Sequence, residues 1–357
     1  MTRKGGFFIN WFLVVVNCQV ITSTNAQTIQ CSFPSLQGTK VKFGTFEGLN
    51  SKTLDSANVD SKGNFSFHFS FEKPAIGYLV NAENKPYFLI LDKGEQISLK
   101  GEYLSAPETI KVFAGKQNQA FSKYAIEHPK REQTVSAWHY LDQIYTLDSL
   151  FMKDKKSKKF ISKQYTKIKK QDQDFLNQLD PKSYVAWYLP TRRLVSDVSI
   201  IAEYRTKEIP ATIRAFRTLD YTDERLYRSG LFKDAIENHF WLLENCGKSL
   251  DSIYIEMKVS IDSMMTKLVK NEKKLNEVTD YLFDLLERHS LFQASEYLAL
   301  KVLNEVSCTI NNDLAKQLET YRAMKKGNIA PDLTFPENTI YPIDLQKQKA
   351  IVYMRII

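Results

Sequence analysis

The sequence lacks the short motifs that mark the common catalytic sites. Its 357 residues contain no Cys-x-x-Cys, no His-Glu-x-x-His, no Gly-x-Ser-x-Gly and no phosphate-binding glycine loop. The four cysteines and five histidines show no metal-ligand spacing. No motif therefore predicts a catalytic residue, a metal site or a cofactor.

After the first 26 residues the sequence also lacks a long apolar run. Residues 1–26 predict a secretory signal peptide, with Arg3 and Lys4 as its positive segment, Phe7–Val16 as its apolar segment and Thr24–Ala26 as its cleavage site. The alternative is an uncleaved anchor, but the apolar segment is shorter than the ~20 residues of a spanning helix. We therefore expect an exported protein, periplasmic or associated with the cell envelope, whose mature chain has no transmembrane segment.

The positive charge, formally +8 overall, is concentrated in a stretch without arginine. Lys153–Lys170 contains nine lysines and one acid, Asp154. Its apolar residues are spaced as one helical face: Phe160, Ile161, Tyr165 and Ile168. One interpretation is a basic amphipathic helix that binds phosphates or anionic lipid. The other, which we favour, is a solvated lysine face above a core-facing stripe. We expect no nucleic-acid partner, because arginine usually reads bases and phosphates.

Three cysteines follow the predicted signal peptide: Cys31, Cys246 and Cys308. An exported protein meets an oxidising compartment, so Cys246 and Cys308, both in the predicted helical region, form a candidate structural disulfide. The odd number of cysteines argues against a disulfide framework and favours the alternative that all three are small buried residues.

Residues 28–115 predict an antiparallel β-sandwich. The alternation of polar and aromatic residues at the centre of this stretch places four rings on one sheet face: Phe65, Phe67, Phe69 and Phe71. His68 then lies on the opposite, exposed face. Asp60–Asn64 predicts a turn in which Gly63 adopts a positive φ.

Residues 116–326 predict an α-helical domain of seven to nine helices. Apolar residues recur three or four positions apart in its second half, at Phe232–Leu243, Ile253–Leu268, Leu275–Leu286 and Phe292–Val302. We expect Pro129 to end one helix and Pro190 to bend or end another. Asp180-Pro181 predicts a helix start, with the aspartate as its cap.

Two histidines of this domain lie beside large aromatic residues, in Trp138-His139 and His239-Phe240-Trp241. A catalytic role would require a serine, cysteine or carboxylate partner, and no motif supplies one. We therefore predict that these side chains pack between helices.

The end of the chain resembles a known family. The motif Gly327-x-x-Ala330-Pro331-Asp332 is followed further along the chain by an apolar run, Ala350–Tyr353. This pattern resembles the start of the thioredoxin-like module in TlpA-like thiol:disulfide reductases of the Gram-negative cell envelope. In these reductases the apolar run is the central strand that leads to a Trp-Cys-x-x-Cys site.

The N-terminal part resembles the β-domain of unknown function that often precedes such modules in envelope proteins. The shared features are Gly63-Asn64-Phe65 after a polar turn, a proline-containing strand and Asp92-Lys93-Gly94. The resemblance implies an α+β multidomain protein, with a β-sandwich, a central helical domain and, at 327–357, a truncated start of a thioredoxin-like α/β fold.

The family implies an attacking cysteine at a helix N-terminus, where its pKa is lowered. No such cysteine follows the motif here, so we expect no disulfide turnover from this chain, and its status as an enzyme stays open. Two explanations remain. The chain is a truncated or frame-shifted product of a longer reductase gene, or its β and helical domains form a non-enzymatic binding module for envelope client proteins.

Overall fold

The computed structural model describes residues 27–306, helical residues at 315–316, 318–319 and 323, and two short strands at 333–334 and 339–340. Residues 1–26 and the predicted strand Ala350–Tyr353 lie outside the described residues. Within them, an N-terminal domain of two β-sheets precedes a helical region, which confirms the predicted α+β multidomain architecture. No helix in this part of the chain is both long enough and apolar enough to span a membrane.

Eight strands form the N-terminal domain. They are β1 (Gln27–Ser32), β2 (Lys40–Glu47), β3 (Asn50–Asn58), β4 (Asn64–Phe69), β5 (Ala75–Val80), β6 (Tyr87–Leu91), β7 (Ile97–Lys100) and β8 (Lys111–Ala114). One sheet has the order β4-β1-β7-β8 and the other the order β3-β2-β5-β6. Neighbouring strands are antiparallel, except that β1 and β7 pair in parallel. The chain between β1 and β7 contains the whole second sheet, a connection long enough for parallel pairing.

The row of phenylalanines forms the centre of this domain's core. Phe65, Phe67 and Phe69 are at most 7% exposed. The predicted row is wrong for its fourth member: Phe71 follows the end of β4, is half-buried, and lies under the Arg228 guanidinium at 4.8 Å. His68 is exposed, as predicted. The alternating pattern thus identifies the buried face but not the end of the strand.

Ten helices follow in the described residues, and two short strands come later. They are α1 (Lys116–Leu147), α2 (Lys155–Asn177), α3 (Tyr184–Ser196), α4 (Val198–Tyr204), α5 (Ile209–Thr218), α6 (Glu224–Tyr227), α7 (Phe232–Glu244), α8 (Leu250–Leu268), α9 (Glu272–Arg288) and α10 (Phe292–Val306), with the antiparallel pair β9 (Leu333–Thr334) and β10 (Thr339–Ile340). The number exceeds the predicted seven to nine because α4 and α6 have only seven and four residues, too few for a periodic apolar pattern.

The predicted effects of proline are wrong at Pro129 and Pro181, and at Pro190 the predicted helix end is wrong while the predicted bend stays a prediction. Pro129 lies inside α1 and Pro190 inside α3, and neither ends its helix. Each proline removes one backbone hydrogen bond, but both helices bury side chains on each side of it, and tertiary contacts outweigh the lost bond. Asp180-Pro181 does not start α3, because the hydroxyl of Ser183 caps that helix instead.

The sheet domain is attached directly to the helices. The Asn118 side chain on α1 accepts a hydrogen bond from Ile90 N at 2.8 Å and donates one to Ile90 O at 2.9 Å. It thereby satisfies both backbone groups of a residue on β6. Ile76 and Ile90 are fully buried and belong to the core of the helical region. The second sheet therefore packs against the helices as well as against the first sheet.

The turn before β4 provides a stability test. Gly63 has φ 82°, and a Cβ there would approach Pro34 Cα to 2.5 Å. Gly38 has φ 71°, but nothing lies within 4 Å of its Cβ position. We expect Gly38→Ala to lower the free energy of unfolding by about 1 kcal/mol through backbone strain alone. Gly63→Ala should cost a further ~1–3 kcal/mol through the backbone clash. Urea denaturation followed by circular dichroism measures both, and equal losses would contradict the described turn.

Candidate functional site: a buried charge network beside a polar cavity

The centre of the candidate site is a buried carboxylate, that of Asp172 on α2, which is 4% exposed. It accepts four hydrogen bonds: from Tyr124 Oη at 2.9 Å, His128 Nδ1 at 3.0 Å, Arg131 Nε at 3.0 Å and Arg193 Nη1 at 2.9 Å. A carboxylate has about four lone-pair positions, so this one is saturated. Burial raises the pKa of Asp172, but the hydrogen bonds and positive charges around it outweigh burial and hold the pKa below its usual value.

Three of these donors, Tyr124, His128 and Arg131, lie on α1. Tyr124 and His128 share one face of the helix with Glu132, because the three residues follow one another at intervals of four. The Tyr124 and His128 rings stack with centroids 4.6 Å apart. This face continues through Pro129, so the uninterrupted helix is a condition for the site.

His128 bridges two carboxylates. Its Nδ1 faces Asp172, and its Nε2 lies 3.4 Å from Asp197 Oδ1 in the junction between α3 and α4. Burial opposes its protonation, but hydrogen bonds to both aspartates and their charges raise the pKa of His128 to about 9. At neutral pH the ring is therefore an imidazolium that donates from both nitrogens.

Arg205, 3% exposed, extends the network beyond Asp197. Its Nη2 lies 2.8 Å from Glu132 Oε2 and 3.9 Å from Asp197 Oδ2, and its Nη1 lies 3.8 Å from Glu208 Oε2. Burial and the charge of Asp197 raise the pKa of Glu132, although Arg205 opposes them. The buried Nε of Arg205 has no acceptor among the described residues.

An open cavity of about 600 Å³ borders this network, between α2, α3, α4 and α5. Its wall includes Lys169, Asp172, Arg193, Arg205 and Glu208. The side chains of Asp172 and Arg205 are only 5% and 3% exposed, whereas those of Arg193 and Lys169 are 31% and 40% exposed. Glu208 is 30% exposed and pairs with Lys169 at 2.6 Å, so the accessible charges of the wall are two cations and one carboxylate, with a net positive charge.

Three members of the network have a spacing that would suit a metal ion. Donor atoms of His128, Glu132 and Asp197 lie within 4.8 Å of one another. However, both ring nitrogens of His128 already face carboxylates, Nδ1 that of Asp172 at 3.0 Å and Nε2 that of Asp197 at 3.4 Å. The carboxylate of Glu132 is also already 2.8 Å from a guanidinium. The proton and Arg205 supply the positive charge that an ion would bring, so these residues fit an ion network better than a metal centre.

The residues singled out from the sequence lie elsewhere. Cys246 follows α7 as a half-buried free thiol, and Cys308 lies outside the described residues, so their disulfide stays a prediction. Cys31 is buried between the sheets, and burial raises the pKa of its thiol, which disfavours the reactive thiolate. The motif residues also lie outside the described part of the chain: Gly327, Ala330, Pro331 and Asp332.

The charge network was not predicted. The signal available was the four-residue spacing of Tyr124, His128 and Glu132, but the predicted break at Pro129 divides it. The two aspartates that complete the network lie 44 and 69 residues from His128 in sequence. No local sequence pattern predicts contacts between residues so far apart in sequence.

A second buried histidine, His239 on α7, serves as an internal comparison. Its ring stacks on Phe216 at 5.2 Å, which confirms its predicted packing role. Neither ring nitrogen has a hydrogen-bond partner among the described residues. Burial, aided by the charge of Arg217, lowers the pKa of His239 to about 3. His239 is therefore neutral where His128 is charged.

Comparison with known proteins gives one match, to the family model described as "Domain of unknown function (DUF4369)". Residues 27–121 form a DUF4369 domain. No curated protein and no solved structure matches the chain. The DUF4369 domain comprises β1 to β8 and the start of α1, including the attachment at Asn118. It ends before Tyr124, so the charge network lies wholly in the helical region that follows.

The two histidines predict opposite pH effects on stability. His128 binds its proton more tightly in the folded state, so its contribution is complete below about pH 6.5 and is lost as the pH rises through about 9. His239 binds its proton more weakly in the folded state, so stability is lost as the pH falls from about 6.5 towards 3. Each slope is at most about 1.4 kcal/mol per pH unit.

Urea denaturation of His128→Gln and His239→Leu between pH 4 and 10 measures these slopes. His128→Gln should flatten the alkaline loss of stability and leave the acid side unchanged, whereas His239→Leu should do the reverse. Each variant is the control for the other. Variants that both retain the wild-type pH profile would contradict the assigned charge states.

Proposed function

We propose that this protein is an exported cell-envelope binding module, related to TlpA-like proteins, that does not itself exchange disulfides. The DUF4369 domain supports the relation, because the resemblance leads us to expect a β-domain of unknown function before a thioredoxin-like module. The motif from Gly327 to Asp332 supports it as well. Export follows from the predicted signal peptide.

The thiols favour binding over redox chemistry. The sequence has no Cys-x-x-Cys pair, and the buried Cys31 is held as an unreactive thiol. Cys246 is free and half-buried. Disulfide exchange requires an accessible thiolate with a second sulfur nearby, and the described residues do not bring two cysteines together.

The observation that carries the binding proposal is the set of hydrogen-bond donors left over in the polar cavity. Two carboxylates of the wall are occupied: Asp172 holds four donors, and Glu208 accepts from Lys169 at 2.6 Å and from Tyr165 at 3.1 Å. A third, Glu132, pairs with Arg205 at 2.8 Å, but its Oε2 accepts no hydrogen bond from the described residues. The donors are not exhausted. Arg205 Nε has no acceptor, and Arg193 uses only Nη1 within the described residues.

A ligand with a carboxylate or phosphate group would supply the missing acceptors. Arginine binds both groups through paired, charge-assisted hydrogen bonds. A buried donor without a partner is rare in folded proteins and is commonly explained by a bound solute or water. We therefore assign the cavity to the recognition of an anionic group on a client protein or small molecule.

The first test addresses redox activity. In an insulin-reduction assay with dithiothreitol, the mature chain should match buffer, whereas thioredoxin added as a positive control should accelerate precipitation. Clear turnover by the chain would overturn the proposal.

The second test addresses the cavity. Inorganic phosphate or succinate should raise the melting temperature above that in sodium chloride of equal ionic strength. Binding at ten times Kd stabilises the fold by about 1.4 kcal/mol. Arg193→Gln should weaken binding of the probe at least tenfold, since a hydrogen bond to a charged group contributes ~1.5–3 kcal/mol.

The matched control is Arg192→Gln. Arg192 directly precedes Arg193 on α3, but its guanidinium lies over the Phe121 ring at 5.2 Å and it is not part of the cavity wall. This variant should bind the probes like wild type. If neither anion stabilises wild type beyond the salt control, or if both variants weaken binding equally, the cavity is not the anion site.

A further inference from the structure

The far end of the α1–α2 hairpin projects from the helical core. No residue from Ser136 to Phe160 is buried, whereas Val135 and Ile161 on either side are. The unburied end of α1 has 12 residues and a length of about 18 Å. We call residues 136–160 the hairpin tip. It lies beyond the charge network and contributes nothing to the polar cavity.

This tip concentrates exposed apolar side chains. Of the sixteen large apolar residues that are exposed in the described part of the chain, seven lie between Tyr140 and Phe160. The two most accessible, Leu147 at 79% and Leu150 at 77%, lie at or beside the turn, where Met152 is 51% exposed. Phe151 and Phe160 are also exposed, at 38% and 56%. An apolar cluster of this kind on a projecting element marks an interaction site.

Lysines follow the exposed apolar residues of the turn. Six lie between Lys153 and Lys163, and from Trp138 to Lys163 they outnumber the three aspartates by two to one. Two of those aspartates are engaged by backbone groups: Asp148 accepts from Leu150 N at 2.7 Å, and Asp154 caps α2 by accepting from Ser157 N at 3.0 Å. The charge presented by the tip is therefore positive.

We infer that the hairpin tip docks on an anionic lipid surface, with its apolar side chains inserted below the headgroups and its lysines against their phosphates. Lysine-rich helices with exposed Leu and Phe bind in this way, and each lysine near such a surface strengthens binding about fivefold. A convex tip also fits a fluid bilayer, which needs no complementary shape. Protein interfaces, in contrast, are depleted in lysine and enriched in arginine.

The interpretation revises the one preferred from the sequence for Lys153–Lys170. The stripe does face the core at Ile161, which is buried, but Phe160 is 56% exposed and belongs to the hairpin tip. The lysine face is therefore joined to an apolar surface that the sequence pattern assigned to the core.

Co-sedimentation of the mature chain with vesicles tests the inference. We expect binding to vesicles of 30% phosphatidylglycerol in phosphatidylcholine, no binding to phosphatidylcholine alone, and weaker binding at 0.5 M than at 0.1 M salt. Replacing Leu150, Phe151 and Met152 together by serine should lower the partition coefficient at least tenfold. Replacing Lys155, Lys156 and Lys159 together by glutamine should do the same.

Matched controls use equally exposed residues elsewhere. Leu250→Ser with Ile255→Ser removes apolar area from α8, and Lys40→Gln, Lys62→Gln and Lys93→Gln remove the same charge from the sheet domain. Both control sets should bind like wild type. All replaced side chains are exposed or lie in the unburied tip, and circular dichroism checks that each variant is folded.

Three results would overturn the inference. They are absence of binding to anionic vesicles, binding that the serine variant retains in full, and loss of binding in the control variants that equals the loss in the tip variants. Retention by the serine variant would show attraction of charges without insertion. Absence of vesicle binding would indicate that the partner of the tip is a protein and not a lipid surface.

Discussion

The carboxylate of Asp172 is the interaction on which the helical region depends. It lies almost without solvent and receives donors from two other helices, so it orients α1, α2 and α3 relative to one another. A buried charge is tolerated only if partners and hydrogen bonds replace its hydration. Removing it would leave Arg193 without a carboxylate partner, and would leave His128 with Asp197 alone and Arg131 with Glu127 alone. His128 connects Asp172 to the rest of the network, because its other ring nitrogen faces Asp197, which in turn lies near Arg205.

The same arrangement separates structure from binding in the cavity wall. The deep groups neutralise one another and orient the helices, and the shallower ones, Arg193, Lys169 and Glu208, remain accessible. Arg193 belongs to both sets, because one nitrogen holds Asp172 while the rest of its guanidinium faces the cavity. A ligand that binds Arg193 would therefore contact a residue that is hydrogen-bonded to Asp172.

The DUF4369 domain and the helical region are coupled rather than linked loosely. Asn118 attaches α1 to β6, and Gly48 N donates to Tyr227 O at 2.8 Å on the other side of the sheet. Buried backbone groups must find partners, and here each region supplies partners to the other. The projecting hairpin tip, by contrast, lies outside every core, which is why it is free to contact a separate surface.

The sequence by itself determined the elements whose signal is local and repeated. The alternating phenylalanines of β4 and the apolar spacing from Phe232 to Val302 predict their strand and helices, because the pleat and the helical turn recur within a few residues. Only the tertiary structure decided whether α1 passes through Pro129, since burial of the flanking turns opposes the intrinsic cost of proline. It also decided the site, because His128, Asp172 and Asp197 meet through the folding of separate helices, and contacts of that range leave no period in the sequence.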